Sequence, residues 1–76
     1  MVPLGLLSDG EAGEIVGVKG DHAAVEAAAR AEDMGLRVGK RIEMLANGGG
    51  RVLVRVDESR IAVARGMAMK IVVRRA

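Results

Sequence analysis

Residues 51–56 read Arg-Val-Leu-Val-Arg-Val between two turn-forming clusters, Asn47 to Gly50 and Asp57 to Ser59. Val52, Val54 and Val56 fall on one face of an extended chain, with Leu53 and Arg55 on the other. This is the two-residue period of a half-buried strand. Such a strand needs neighbours to cover its apolar face, and the turns on either side supply them. Arg41 to Leu45 carries Ile42 and Met44 on one face, and Arg60 to Ala64 carries Ile61 and Val63. Lys70 to Arg75 repeats the pattern with Ile71 and Val73, and Glu14 to Lys19 precedes them all. Gly17 inside that first strand predicts a bulge or a close backbone approach, and with a bulge Ile15 and Val18 can both face inward. About five strands this short and this closely spaced predict a mainly β fold, a small barrel or sandwich, and closure into a barrel removes exposed edges.

One segment departs from the pattern. His22 to Met34 is rich in alanine, the best helix former. Asp21 is placed to cap its first turn, and Glu26 and Arg30 stand four apart with the acid first. Val25, Ala28, Ala29 and Met34 make a narrow apolar stripe. Gly35 follows where a left-handed C-terminal residue is wanted, and Leu36 then folds back onto the helix. Residues 65–69 suit a single further helical turn. The chain of 76 residues fits a single domain, 1–76.

Composition removes several classes of function. There is no Cys, no aromatic residue and no Thr, and the hydroxyls are Ser8 and Ser59. His22 is the one imidazole. No arrangement of nucleophile and base emerges from so few groups, and the expectation is a chain that is not an enzyme and holds no cofactor. No apolar run approaches the roughly 18 residues of a membrane span, and Met1 to Gly10 lacks the features of a signal peptide. The expected location is the cytoplasm.

Gly35 to Arg41 superficially suggests a phosphate loop, but the spacing is one residue short, no Ser or Thr follows Lys40, and a strand follows instead of a helix. Gly48, Gly49 and Gly50 suit a hairpin better than a ligand cradle. Met34, Met44, Met67 and Met69 are thioethers open to a soft-metal reading, and His22 with Glu26 to a weak surface metal site. Filling of the core and a solvated face are the competing readings. Nine of the twelve cations are Arg and the isoelectric point is about 9.7, which suits nucleic-acid binding by a small basic barrel. Against it stand a net charge of only +2 and the lack of any aromatic stacking platform.

The order of motifs resembles the FeoA family of small cytosolic proteins of bacterial ferrous iron transport. The resemblance runs through Leu4 and Leu7 ahead of Gly10, Gly13 and Ile15, and the stretch Arg30 to Gly39. It continues through the valine hairpin and Ile61-Ala62 to Ala68, Ile71 and Val73. Met34, Gly35, Leu36 and Gly39 form its most specific unit. Ala31 stands where the family has Leu, Val38 where it often has Pro, and the turn at Asp57-Glu58 lacks the usual Gly. The resemblance implies an SH3-like barrel of about five strands with one inserted helix. It also implies an adaptor role, through contact with a FeoB-type membrane transporter that carries a cytosolic GTPase domain. Leu36, Met67 and Met69 lie beside turns, where they either stay partly exposed for docking or cap the barrel ends. Arg37, Lys40 and Arg41 would add a basic rim beside Leu36. The resemblance leaves open a homodimer, and leaves nucleic-acid binding and metal sensing as alternative functions.

Overall fold

In the computed structural model, which describes residues 1–20 and 22–75, the chain forms one antiparallel sheet of six strands with two helices. The strands are β1 (Val2–Pro3), β2 (Ala12–Val18), β3 (Arg41–Gly48), β4 (Arg51–Val56), β5 (Ser59–Ala64) and β6 (Ile71–Arg75). The helices are α1 (His22–Asp33), between β2 and β3, and α2 (Arg65–Ala68), between β5 and β6. A 3-10 turn at Leu4–Leu6 follows β1. The sheet order is β1-β6-β2-β3-β4-β5. The sixth strand beyond those expected is β1, two residues long, pairing Val2 with Val73 and Pro3 with Val72. Pro3 is tolerated because it lies on an edge strand.

Core and alternation agree. Val52, Val54 and Val56 are buried and Arg51 and Arg55 exposed. Ile15, Ile42, Met44, Val63, Ile71 and Val73 join them with Leu4 and Leu7 in a single aliphatic cluster. The bulge in β2 also forms: the register shifts between Ile15 and Gly17, leaving Val16 unpaired, so Ile15 is buried and Val18 still packs against the core.

Helix α1 ends by a Schellman motif. The Leu36 N–H donates to the Ala31 carbonyl at 2.7 Å and the Gly35 N–H to the Glu32 carbonyl at 3.0 Å. Gly35 has φ +98°, in the left-handed region. Ala31 and Leu36, the two residues this motif brings together, are both buried. The expected apolar stripe is corrected accordingly: Ala29 and Met34 are exposed, and Ala31 takes the inward position. A helix turns 100° per residue, so Ala31 lies on a different line from Ala29. Asp21 and the side chains of His22, Val25 and Ala28 lie outside the described residues, so the cap, the rest of the stripe and the His22 metal reading are not described.

Two turns differ from expectation. Strand β3 runs to Gly48, so the first hairpin turns on Gly49 and Gly50 alone, and Asn47 belongs to the strand opposite Val52. The second hairpin turns on two residues, Asp57 (φ +50°) and Glu58 (φ +68°), with Val56 paired to Ser59. Both central residues with positive φ make a type I′ turn, which matches the strand twist but suits Asn-Gly or Asp-Gly.

The displacement of Asn47 has a structural cause. A second bulge shifts the register between Met44 and Ala46, so the inward face passes from Met44 to Asn47. The Asn47 amide Nδ2 donates to the carbonyls of Gly5 (2.9 Å) and Leu7 (2.6 Å), and its Oδ1 accepts from Arg65 Nη2 (2.7 Å). Its backbone N–H donates to Asp9 Oδ1 at 2.7 Å. Arg65 Nε donates to the Gly49 carbonyl at 2.9 Å, and the Arg65 backbone N–H to the Gly50 carbonyl at 3.0 Å. One amide and one guanidinium therefore tie together the 3-10 turn, the first hairpin and the start of α2.

Asn47→Ala should lower unfolding free energy by about 1–3 kcal/mol, because two carbonyls and Arg65 lose their partner. Asn47→Asp should not rescue it, since a carboxylate would face those carbonyl oxygens; urea denaturation of both variants is the check. Turn chemistry gives a pair of opposite sign. Gly35→Val should cost about 1–3 kcal/mol, since Val is strained at positive φ. Glu58→Gly should stabilise by about 0.5–1 kcal/mol, the relief of a left-handed residue less the added unfolded-state entropy. Equal melting temperatures for both variants and the parent chain would contradict this account of the turns.

Candidate functional site

The residues expected to form one docking face lie in two places. Arg37, Val38, Gly39 and Lys40 form the turn that carries the chain from α1 into β3. In this turn the Lys40 N–H donates to the Arg37 carbonyl at 3.0 Å and the Gly39 N–H to the Ile15 carbonyl at 2.8 Å. Gly39 has φ +93°. Arg41 opens β3 beside Glu14 of β2. Met67 and Met69 lie instead around α2, at the end of the barrel fixed by Asn47 and Arg65. The Met69 sulphur rests over Gly5, where an added Cβ would approach it to 2.7 Å. Strand β3 separates the two groups, and its eight residues span about 26 Å.

Leu36 belongs to neither group. It is 3% exposed, a member of the core through the Schellman motif, and this corrects the expectation that it stays partly exposed for docking. Leu36→Asp would bury a carboxylate and test folding rather than contact. The exposed apolar residue beside the basic turn is Val38, at 66%. At the other end the exposed one is Leu6, at 54%, in the 3-10 turn that contacts α2, with Met67 and Met69 half-buried. The motif residues Ala68, Ile71 and Val73 are core.

Electrostatically, the basic turn is partly neutralised. Lys40 Nζ meets Asp57 Oδ2 at 2.7 Å, so the turn after α1 is held against the second hairpin. Across the outer face of the sheet, Arg74 meets Glu14 at 2.7 Å, Arg75 meets Glu11 at 3.2 Å, and Arg55 pairs with Glu43. Arg41 has no ion pair among the described residues. It stands between two open grooves, one of about 510 Å³ shared with Glu43, Arg55 and Asp57, the other of about 250 Å³ shared with Glu14, Arg74 and Arg75. The grooves mix both signs of charge, so they offer polar complementarity to a partner rather than a uniform anion cradle. Among the described residues, no three His, Asp or Glu side chains gather as a metal-binding group. Met44 is fully buried in the core, while Met34 is 37% exposed at the end of α1.

Sequence reasoning found the basic turn because it adjoins a glycine-marked helix end. It missed Val38, which reads as an ordinary turn residue, and Leu6, whose exposure depends on the 3-10 turn rotating Leu4 and Leu7 inward. It also missed the Asn47–Arg65 pair, because nothing local signals that a bulge will turn Asn47 toward a residue 18 positions away.

Several known proteins share this architecture. A structure of FeoA, described as an iron uptake regulatory protein, superposes with TM-score 0.85 at 31% identity, over 99% of this chain and 96% of its own. FeoA of Stenotrophomonas maltophilia, solved in complex with zinc and described as a procaryotic SH3 domain protein, gives TM-score 0.82 at 27% identity, over 97% and 91%. The fold is thus SH3-like. A manganese-dependent transcriptional repressor gives TM-score 0.84 over 97% of this chain but 41% of its own, at 20% identity, which speaks to fold alone. In sequence, a protein of Methanocaldococcus jannaschii named "Putative Fe(2+) transport protein A" is 37% identical over 73 residues, 96% of this chain and 85% of that protein. The FeoA domain model matches residues 2–75; with the glycine-terminated helix, the inserted position of α1 and the barrel as described, the chain belongs to the FeoA family.

Proposed function

We propose that this chain is an accessory protein of ferrous iron uptake that acts by binding the cytoplasmic part of a FeoB-type transporter with a GTPase domain. The observation that carries the reading is the family match along residues 2–75, together with a relative named for Fe(2+) transport. The surface is compatible with it. No helix among the described residues is long and apolar enough to cross a membrane, so a role in transport would be exercised on another protein. The docking face is the turn after α1: Val38 supplies an exposed apolar contact, and Arg37, Lys40 and Arg41 surround it. Met67 and Met69, at the far end of the barrel, belong to a separate face. This reading places the chain in the cytoplasm.

Nucleic-acid binding has less support. Arg55, Arg74, Arg75 and Lys40 each meet a carboxylate, so the basic residues are interleaved with acids instead of forming the continuous stripe that tracks a phosphate backbone.

The expected interface is small, about 800 Å² or less per partner, in the range of weak to standard contacts. Fluorescently labelled protein titrated against the transporter in nanodiscs, with and without guanine nucleotide, should show saturable binding. Added salt should slow association. Arg41→Ala should weaken binding several-fold and flatten the salt dependence with little change in the melting temperature, because Arg41 is exposed and lacks an ion pair among the described residues. Absence of binding in every nucleotide state, alongside tight, salt-steep binding to RNA, would replace this reading with the nucleic-acid one.

A further inference from the structure

Strand β5 ends the sheet order and pairs with β4 alone. The type I′ turn fixes which of its backbone groups are free. Val56 and Ser59 close a two-residue turn and are a hydrogen-bonded pair. Alternation along the antiparallel ladder makes Val54–Ile61 and Val52–Val63 the next hydrogen-bonded pairs, and Arg55–Arg60 and Leu53–Ala62 the non-bonded ones. The N–H and C=O of Arg60 and Ala62 therefore point away from β4, and no bond from them to other elements occurs among the described residues. Natural edges are blunted by bulges, proline or charged side chains, or by covering elements, and on this one Arg60 is the single charge. This one has regular register throughout, no Pro or Lys, and exposed Ser59, Arg60, Ala62 and Ala64.

Charge states what fits the edge. Arg55 and Arg60 face each other in the closer type of cross-strand pair, an unfavourable like-charge contact. Arg55 has Glu43 on its other side. Arg60 has no ion pair among the described residues, and its other side is the open edge. On the opposite face of the strand, Ile61 is only half-buried, beside buried Val63.

We propose that β5 is a strand-addition site for an extended segment of a partner protein in which acidic and apolar residues alternate. Its backbone pairs with the free groups of Arg60 and Ala62. A carboxylate opposite Arg60 supplies the missing counter-charge on the outer face, while apolar residues on the inner face cover Ile61. The inference stands on the sheet edge, not on the transporter reading, and a transporter that fails to bind leaves it intact.

The test uses the whole chain, labelled with 15N, and a capped peptide of alternating valine and glutamate flanked by threonine. Saturable shifts should appear at the amides of Arg60, Ala62 and Ala64. The lysine analogue should bind about five-fold more weakly or worse. Ala62→Pro removes an outward donor and leaves the β4–β5 ladder in place, so it should abolish binding while the Val52 and Val63 amides keep their positions. Arg60→Glu, at an exposed site, should invert the preference between the two peptides and keeps the test decisive if the proline variant does not fold. The proposal is overturned by a lack of saturable shifts at millimolar peptide, or by binding that neither variant changes. Shifts of the same amides with protein concentration alone would also overturn it, by making a second copy the occupant.

Discussion

The amide of Asn47 and the guanidinium of Arg65 fix one end of the barrel. Between them they satisfy the carbonyls of Gly5, Leu7 and Gly49 and bond to each other. These carbonyls belong to the 3-10 turn with its C-cap and to the first hairpin, two segments with no strand pairing between them, and Arg65 itself opens α2. With Leu4 and Leu7 held inward by that turn, the core is covered where the sheet does not cover it. A core without aromatic rings has little bulk to bridge gaps, so the correct placement of Leu4 and Leu7 carries more weight than it would in a barrel with a central Trp or Phe.

Much of this architecture is legible in the chain. Alternating valines define β4, and the glycine at position 35 defines where α1 stops, because each feature is local and has one physical interpretation. Gly17 offers two readings, a bulge or a close backbone approach, and the register shift at Val16 decides for the bulge. What local reasoning cannot supply is the direction of a side chain after an unannounced bulge. The bulge at Leu45 converts Asn47 from a turn residue into the centre of a polar cluster. The same limit applies to Leu36. Its position after a helix C-cap suggests either exposure or packing back onto the helix, and the two Schellman hydrogen bonds decide for packing. The basic turn was recognisable as basic, but its separation from Met67 and Met69 depends on the length and direction of β3.

Fold and role are separate matters in this family's neighbourhood. The manganese-dependent repressor shares nearly the whole backbone path at 20% identity, as part of a longer chain. A small barrel of this kind is a scaffold whose use depends on its surface. Here that surface has an exposed Val38 within a basic turn at one end, half-buried methionines at the other, and an open strand edge alongside.

The pairing of Val2 with Val73 and of Ile15 with Val73 has a consequence for biosynthesis. Strand β6 lies between β1 and β2, so two segments at the start of the domain must wait for one at its end. A nascent chain can form the β3–β4–β5 meander from local contacts, but β2 keeps one unpaired edge until residues 71–75 have emerged from the ribosome. Closure of the barrel thus waits on residues 71–75, and its rate is governed by closure of long loops rather than by helix formation. During that interval the apolar side of β2 is the segment most in need of protection from other chains.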